Sequence, residues 1–200
     1  MISLRSAALP LTLLFLVLAL AVVYAGTEST EDNIRQIIRI TAASSMILFS
    51  LTFSASALKY LLGNRISIAI MQARRRLGLS FALSHLVHLG AIVALVELVY
   101  AGDYSLLGDI AAGAVIYLFI LAMALTSNNA SVRLLGARNW TLLHKTGSYL
   151  IWVGLFATYL GAALETGSLH YWAYLSLGVG LLSLRGWVFW SKRKTIDRGA

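Results

Sequence analysis

Two histidines three residues apart, His85 and His88, stand in the run SHLVHLG, and a third, His144, stands in NWTLLHKTGSYL. Imidazole in apolar surroundings ligates a metal, relays a proton or closes an interhelical hydrogen bond. At i and i+3, His85 and His88 share roughly one helix face. No carboxylate stands at contact spacing from them, since Glu97 is nine residues beyond His88. The chain has no Cys, which removes disulfides, iron–sulfur clusters and thiolate ligands and leaves imidazole as the soft donor. Haem is the cofactor these residues fit best. Neutral imidazoles fill its axial positions, apolar helices supply the cavity, and no carboxylate cage exists for a hard cation. A hydrogen-bond partner or a water-lined proton path uses the same residue type, and His85 taken alone fits those roles equally well.

The elements that must position these residues are membrane helices. Of the 200 residues, 59% are hydrophobic and 12% charged, with mean hydropathy +0.80, a balance foreign to a soluble domain. The net charge of +8 is spread between long apolar runs, so it sets membrane orientation and excludes a nucleic-acid-binding role. A span needs about 20 apolar residues. Six segments approach that length: 7–24, 37–62, 77–100, 109–126, 140–164 and 170–190. The expected fold is all-α, an integral membrane six-helix bundle, or five helices if the first span is a cleaved secretory signal; a retained helix is favoured because its apolar run exceeds a signal core.

The connections alternate in charge. Arg65, Arg74, Arg75 and Arg76 lie in one, Arg133 and Arg138 in another, and the tail SKRKTIDRGA is basic, whereas GTESTEDNIRQ, AGDYSLLGD and ETGS are acidic or neutral apart from Arg35. By the positive-inside rule both termini face the cytoplasm. His85 and His88 then lie near mid-bilayer, and His144 roughly 6 Å shallower than His85 and 10 Å shallower than His88. No segment is long enough for a second soluble domain, so residues 1–200 form one domain, and any flavin or nicotinamide chemistry belongs to another chain.

Other candidates have plainer expectations. His170 sits with Tyr171 and Trp172 in an interfacial aromatic belt. Lys59 and Arg185 snorkel to the interface. Arg74 to Arg76 and Lys192 to Lys194 mark topology and meet lipid headgroups, with haem propionates or an electron donor as the functional alternative. The acceptor tripeptide Asn129-Ala130-Ser131 faces the cytoplasm and is silent. The glycines of GVGLLSLRG permit close helix packing.

The segment RRRLGLSFALSHLVHLG resembles the third-helix signature of the ferric reductase-like transmembrane domain family, in which a basic pair and Leu-Gly-Leu precede a helix bearing a haem-ligating His. LALTSNNASVRLLGARNWTLLHKTGSYL resembles that family's next landmark, a helix ending in Thr-Ser, a loop with Leu-Gly-x-Arg-x-Trp, and Leu-His opening the following helix. The likeness runs from about Arg39 to Tyr159, and within the family the pattern is nearest to haem-bearing membrane subunits that serve periplasmic sulfoxide reductases.

The resemblance implies a b-type cytochrome with one or two haems, ligated through His88 and His144. It implies electrons drawn from a quinol or a cytoplasmic flavoprotein and passed outward to ferric iron or a periplasmic oxidoreductase. The family also carries a further His about thirteen residues after the one at 144, where this chain has Ala157. That departure leaves two arrangements: one haem held by His144 and His85, or a deeper haem on His88 with an open sixth site. Loss of the ligand also leaves room for a haem-free transporter or assembly factor on the same scaffold.

Overall fold

The computed structural model describes residues 4–26, 29–107 and 110–197. Among them are six α-helices and no strand: α1 (Leu4–Gly26), α2 (Thr30–Leu62), α3 (Arg65–Val99), α4 (Ile110–Leu125), α5 (Asn129–Thr166) and α6 (Leu169–Asp197), with a 3₁₀ turn at Tyr104–Leu107. Five of the six are long and apolar enough to cross a membrane. The exception is α4, whose 16 residues span about 24 Å. Asp109, the expected start of that span, lies outside the described residues.

The helices are longer than their apolar runs because polar caps start them early. Ser29 accepts from the Asp32 amide at the head of α2, and Glu31 and Asp32 complement the helix dipole in its first turn. Asn64 caps α3 through the Ser67 amide at 2.9 Å, so the stretch 65–76, expected as a loop, is helix. Asn128 does the same for α5 through Ser131 at 2.7 Å. Within α5, Gly136 adopts φ 75 and ψ 150, a conformation open to glycine, and there the helix kinks.

Helix α2 packs along α3, α1 lies against α3 and α2, and α4, α5 and α6 complete the bundle. Ala8 of α1 meets Ala73 and Leu77 of α3 at one end, and Val23 meets Ile34, Ile37, Ala91 and Leu95 at the other. Phe49, Phe53, Phe81, Ile120 and Ile151 join four helices at the centre. Apolar side chains such as Leu14, Val22, Leu118 and Val153 are exposed around the bundle, the pattern of a surface that faces lipid. The turns at 63–64 and 127–128 and the end of α6 form a basic end, and the turns at 100–104 and 167–168 an opposite, acidic end.

Candidate functional site

A cavity of about 530 Å³ lies in the half of the bundle toward the basic end. Its floor is aromatic and aliphatic, from Phe49 and Phe53 of α2, Phe81 of α3, Ile120 of α4 and Ile151 of α5. Its mouth is polar and cationic, with Gln72, Arg74 and Arg75 of α3, Ser127 and Asn128 before α5, Lys145 of α5 and Arg185 of α6. No aspartate or glutamate lines it among the described residues. The volume falls inside the ~300–1,000 Å³ range of small-molecule and cofactor sites.

His144 is on the cavity wall, and the local sequence explains its placement. Beyond the kink at Gly136, Trp140 donates its indole N–H to the Thr126 carbonyl at 2.9 Å. One turn on, the His144 ring stacks on Trp140 with centroids 4.0 Å apart. Its Nε2 meets the Thr126 hydroxyl at 3.1 Å, so a metal bound through Nε2 would displace that hydrogen bond. Helix α4 comes this close because α5 has glycine where they touch. A Cβ on Gly147 would stand 2.3 Å from Met123 Sδ, and one on Gly154 would stand 2.3 Å from Ile116 Cδ1.

His85 and His88 do not line the cavity, although Phe81 and Ala82, one turn earlier on α3, do. The rings of Phe81, His85 and His88 form a ladder, each successive pair 5.3 Å apart, and Tyr117 of α4 stacks on His85 at 5.0 Å. The two histidines differ in their partners. His88 Nδ1 lies 3.1 Å from the Ile38 carbonyl and 3.1 Å from the Thr41 hydroxyl, both on α2. His85 Nδ1 is buried and meets no hydrogen-bond partner. An unpartnered nitrogen of that kind is costly unless water or a ligand takes it up.

The cations at the mouth are held in place. Arg74 donates to the Thr52 carbonyl at 3.2 Å, and Arg75 donates to the Ser127 carbonyl and to Asn129 Oδ1 at 3.1 Å. Arg185 does not snorkel outward. Its guanidinium donates to the Phe53 carbonyl at 2.6 Å and lies 4.2 Å from the Phe53 ring centroid. Its cavity position is the site feature the sequence hid, because an arginine near a helix end looks the same whether it points to water or across the bundle.

Toward the acidic end Met46, Tyr159, Ala163 and Leu175 pack with Tyr171 and Tyr174, beside a void of about 10 Å³, room for about one water. Tyr159 donates to the Ala42 carbonyl at 3.3 Å. Ala157, at the position of the expected further ligand, is exposed on the outside of α5. At this end Tyr104 donates to Glu97 at 2.6 Å, a bond that holds the phenol proton and raises its pKa. His170 sits on Tyr171 with centroids 3.9 Å apart and pairs with Ser168 at 2.7 Å, remote from the cavity.

The cavity therefore brings together one imidazole, His144, the four cations Arg74, Arg75, Lys145 and Arg185, and three phenylalanines, while the α3 imidazoles stack beyond it against Phe81 and Tyr117. No family model, no curated protein and no solved structure matches the chain.

Proposed function

We propose that the chain is a membrane-embedded carrier of one haem b that transfers electrons in a bacterial inner membrane, with its basic end on the cytoplasmic side. The observation that supports it is the cavity, which pairs an imidazole with four cations and no acid above an aromatic floor. Two half-buried arginines, Arg74 and Arg185, with no acid beside them and exposed Arg75 and Lys145 at the rim favour an anionic occupant, and the two carboxylates of haem are of that kind. When bound, haem supplies a one-electron ferric/ferrous couple.

The chain's own residues do the rest. His144, on the cavity wall, would hold the iron, and His85, one turn beyond the cavity-lining Phe81 and with an unpartnered Nδ1, would be the second imidazole. Arg74, Arg75, Arg185 and Lys145 would pair with the carboxylates, and Phe49, Phe53 and Phe81 would exclude water. Electrons arrive from a quinol or a cytoplasmic flavoprotein, since residues 1–200 contain no nucleotide domain. The acceptor in this reading is the outward one that the resemblance implies, ferric iron or a periplasmic oxidoreductase.

A second pairing has one observation behind it. His88, held through Nδ1 by the Ile38 carbonyl, has the orientation that second-sphere hydrogen bonds give to metal-ligating histidines. A reduced-minus-oxidised spectrum of the purified protein tests the proposal. Soret and alpha bands of a b-type haem are expected, and their absence from protein made in haem-replete cells would leave the haem-free transporter or assembly factor as the better account.

A further inference from the structure

We infer that residues 127–139 form a strap that opens and closes over the cavity mouth and gates what enters and leaves, with Arg75 as its latch and Gly136 as its hinge. The strap belongs to the cavity whatever fills it; the naming of haem as the gated group rests on the reading above.

The two ends of the strap are pinned together. Because the Trp140 indole N–H donates to the Thr126 carbonyl at 2.9 Å, the chain leaves the end of α4, runs out over residues 127–139 and returns to the same place. A segment whose ends nearly meet rocks as a body about that base. Its inner side borders the cavity, since Ser127, Asn128, Asn129 and Val132 belong to the lining. Its outer side, with Arg133, Leu134 and Arg138, is exposed. Helix α5 thus lines the cavity on both sides of its kink, with Asn129 and Val132 before Gly136 and Trp140 and His144 after it.

Hinge and latch are both visible. Gly136 turns the strap at φ 75 and ψ 150, a backbone region that is nearly glycine's alone. Nothing lies within 4 Å of where a Cβ on it would stand, so the glycine serves the backbone and not a close contact. The latch crosses from α3: Arg75 donates through Nε to the Ser127 carbonyl and through Nη1 to Asn129 Oδ1 at 3.1 Å, and both acceptors are on the strap. These two bonds are exposed, so water replaces them at little cost when the strap lifts. A closed state held by a few weak bonds and one special backbone conformation is the low-stability kind of element from which lids are made.

Single cysteines provide the test, since the chain has none of its own. Full-length protein from haem-limited cells carries either Val132→Cys, on the inner side of the strap, or Leu134→Cys, at a position that is 87% exposed. The rate at which N-ethylmaleimide labels each thiol is measured. The inner thiol is expected to react several times more slowly than the outer one. Adding Gly136→Ala, which strains the closed backbone, or Arg75→Gln, which removes the latch, is expected to raise the inner rate severalfold and leave the outer rate unchanged. An inner rate that neither substitution changes overturns the inference. So does an equal rise at both positions, which reports unravelling of the segment instead of rocking.

Gating is read separately, in the protein without added cysteine, from haemin uptake by the haem-free chain and from haem transfer to apomyoglobin by the loaded one. Gly136→Ala is expected to speed both severalfold, because a gate obstructs traffic in both directions. Faster release with unchanged uptake marks a weakened site without a gate and overturns the inference. Failure of the haem reading is distinguishable: haemin then gives no Soret band with the unsubstituted chain, while the labelling rates still decide whether the strap moves.

Discussion

The two halves of this bundle are built from similar helices and treat the space between them in opposite ways. Toward the basic end the side chains stand back around about 530 Å³, with arginines tied to backbone carbonyls at the rim. Toward the acidic end tyrosines pack across the gap, beside a void of about 10 Å³. Packing close to crystal density is the usual state of a protein interior, so the filled half needs no further cause and the open half does. Of the imidazoles, His144 lines the open space, His85 lies one turn beyond it, His88 meets Ile38 and Thr41 farther toward the acidic end, and exposed His170 lies at that end.

Substitutions that remove an imidazole from the open half should have the largest effect. His144→Ala is expected to lose most of the haem, read as the ratio of Soret to protein absorbance, and full retention would remove His144 from the ligand set. His85→Ala is expected to lose more haem than His88→Ala; the reverse order would move the α3 ligand to His88 and make Thr41 and Ile38 its orienting partners. Next in size is Gly147→Leu, which places a side chain where even a Cβ would stand 2.3 Å from Met123 Sδ. Overpacking of that kind costs about 1–3 kcal/mol and should lower the thermal midpoint as α4 is pushed from α5.

Thr126→Val is a smaller perturbation with a sharper reading. If Nε2 of His144 serves the iron, the Thr126 hydroxyl is not its partner in the loaded protein, and the variant should keep its haem. If the hydrogen bond is the histidine's whole role, the variant loses about 1 kcal/mol of stability. The smallest expected effect is that of Ala157→His. It restores the imidazole of the resemblance but on the outer face of α5, so haem per chain should not change. A rise to two would mean that the acidic half opens to admit a second group.

Much of this was legible in the sequence, and the rest was hidden for definable reasons. Hydropathy located the apolar runs and the three histidines within them. It misjudged boundaries where charge and helix coexist: 65–76 carries four arginines yet is helical, because Asn64 caps it and the arginine side chains find carbonyls and the cavity rim. Likewise α5 starts eleven residues before the apolar segment at Trp140, with the change of direction absorbed at Gly136.

Spacing along one helix placed His85 and His88 on a common face, and their rings do stack. What spacing along one helix cannot give is the partner on another. That Thr41 and Ile38 occupy His88 while His85 Nδ1 stays unpartnered depends on how α2 crosses α3. The inward turn of Arg185 and the outward face of Ala157 are likewise set by the packing of α6 on α2 and of α5 in the bundle.

The central claim is that the open half holds one haem and the filled half none. Haem stoichiometry by the pyridine haemochrome method, on protein purified from haem-replete cells, tests it most directly. One haem per chain is the expected result, and either two or none would contradict it.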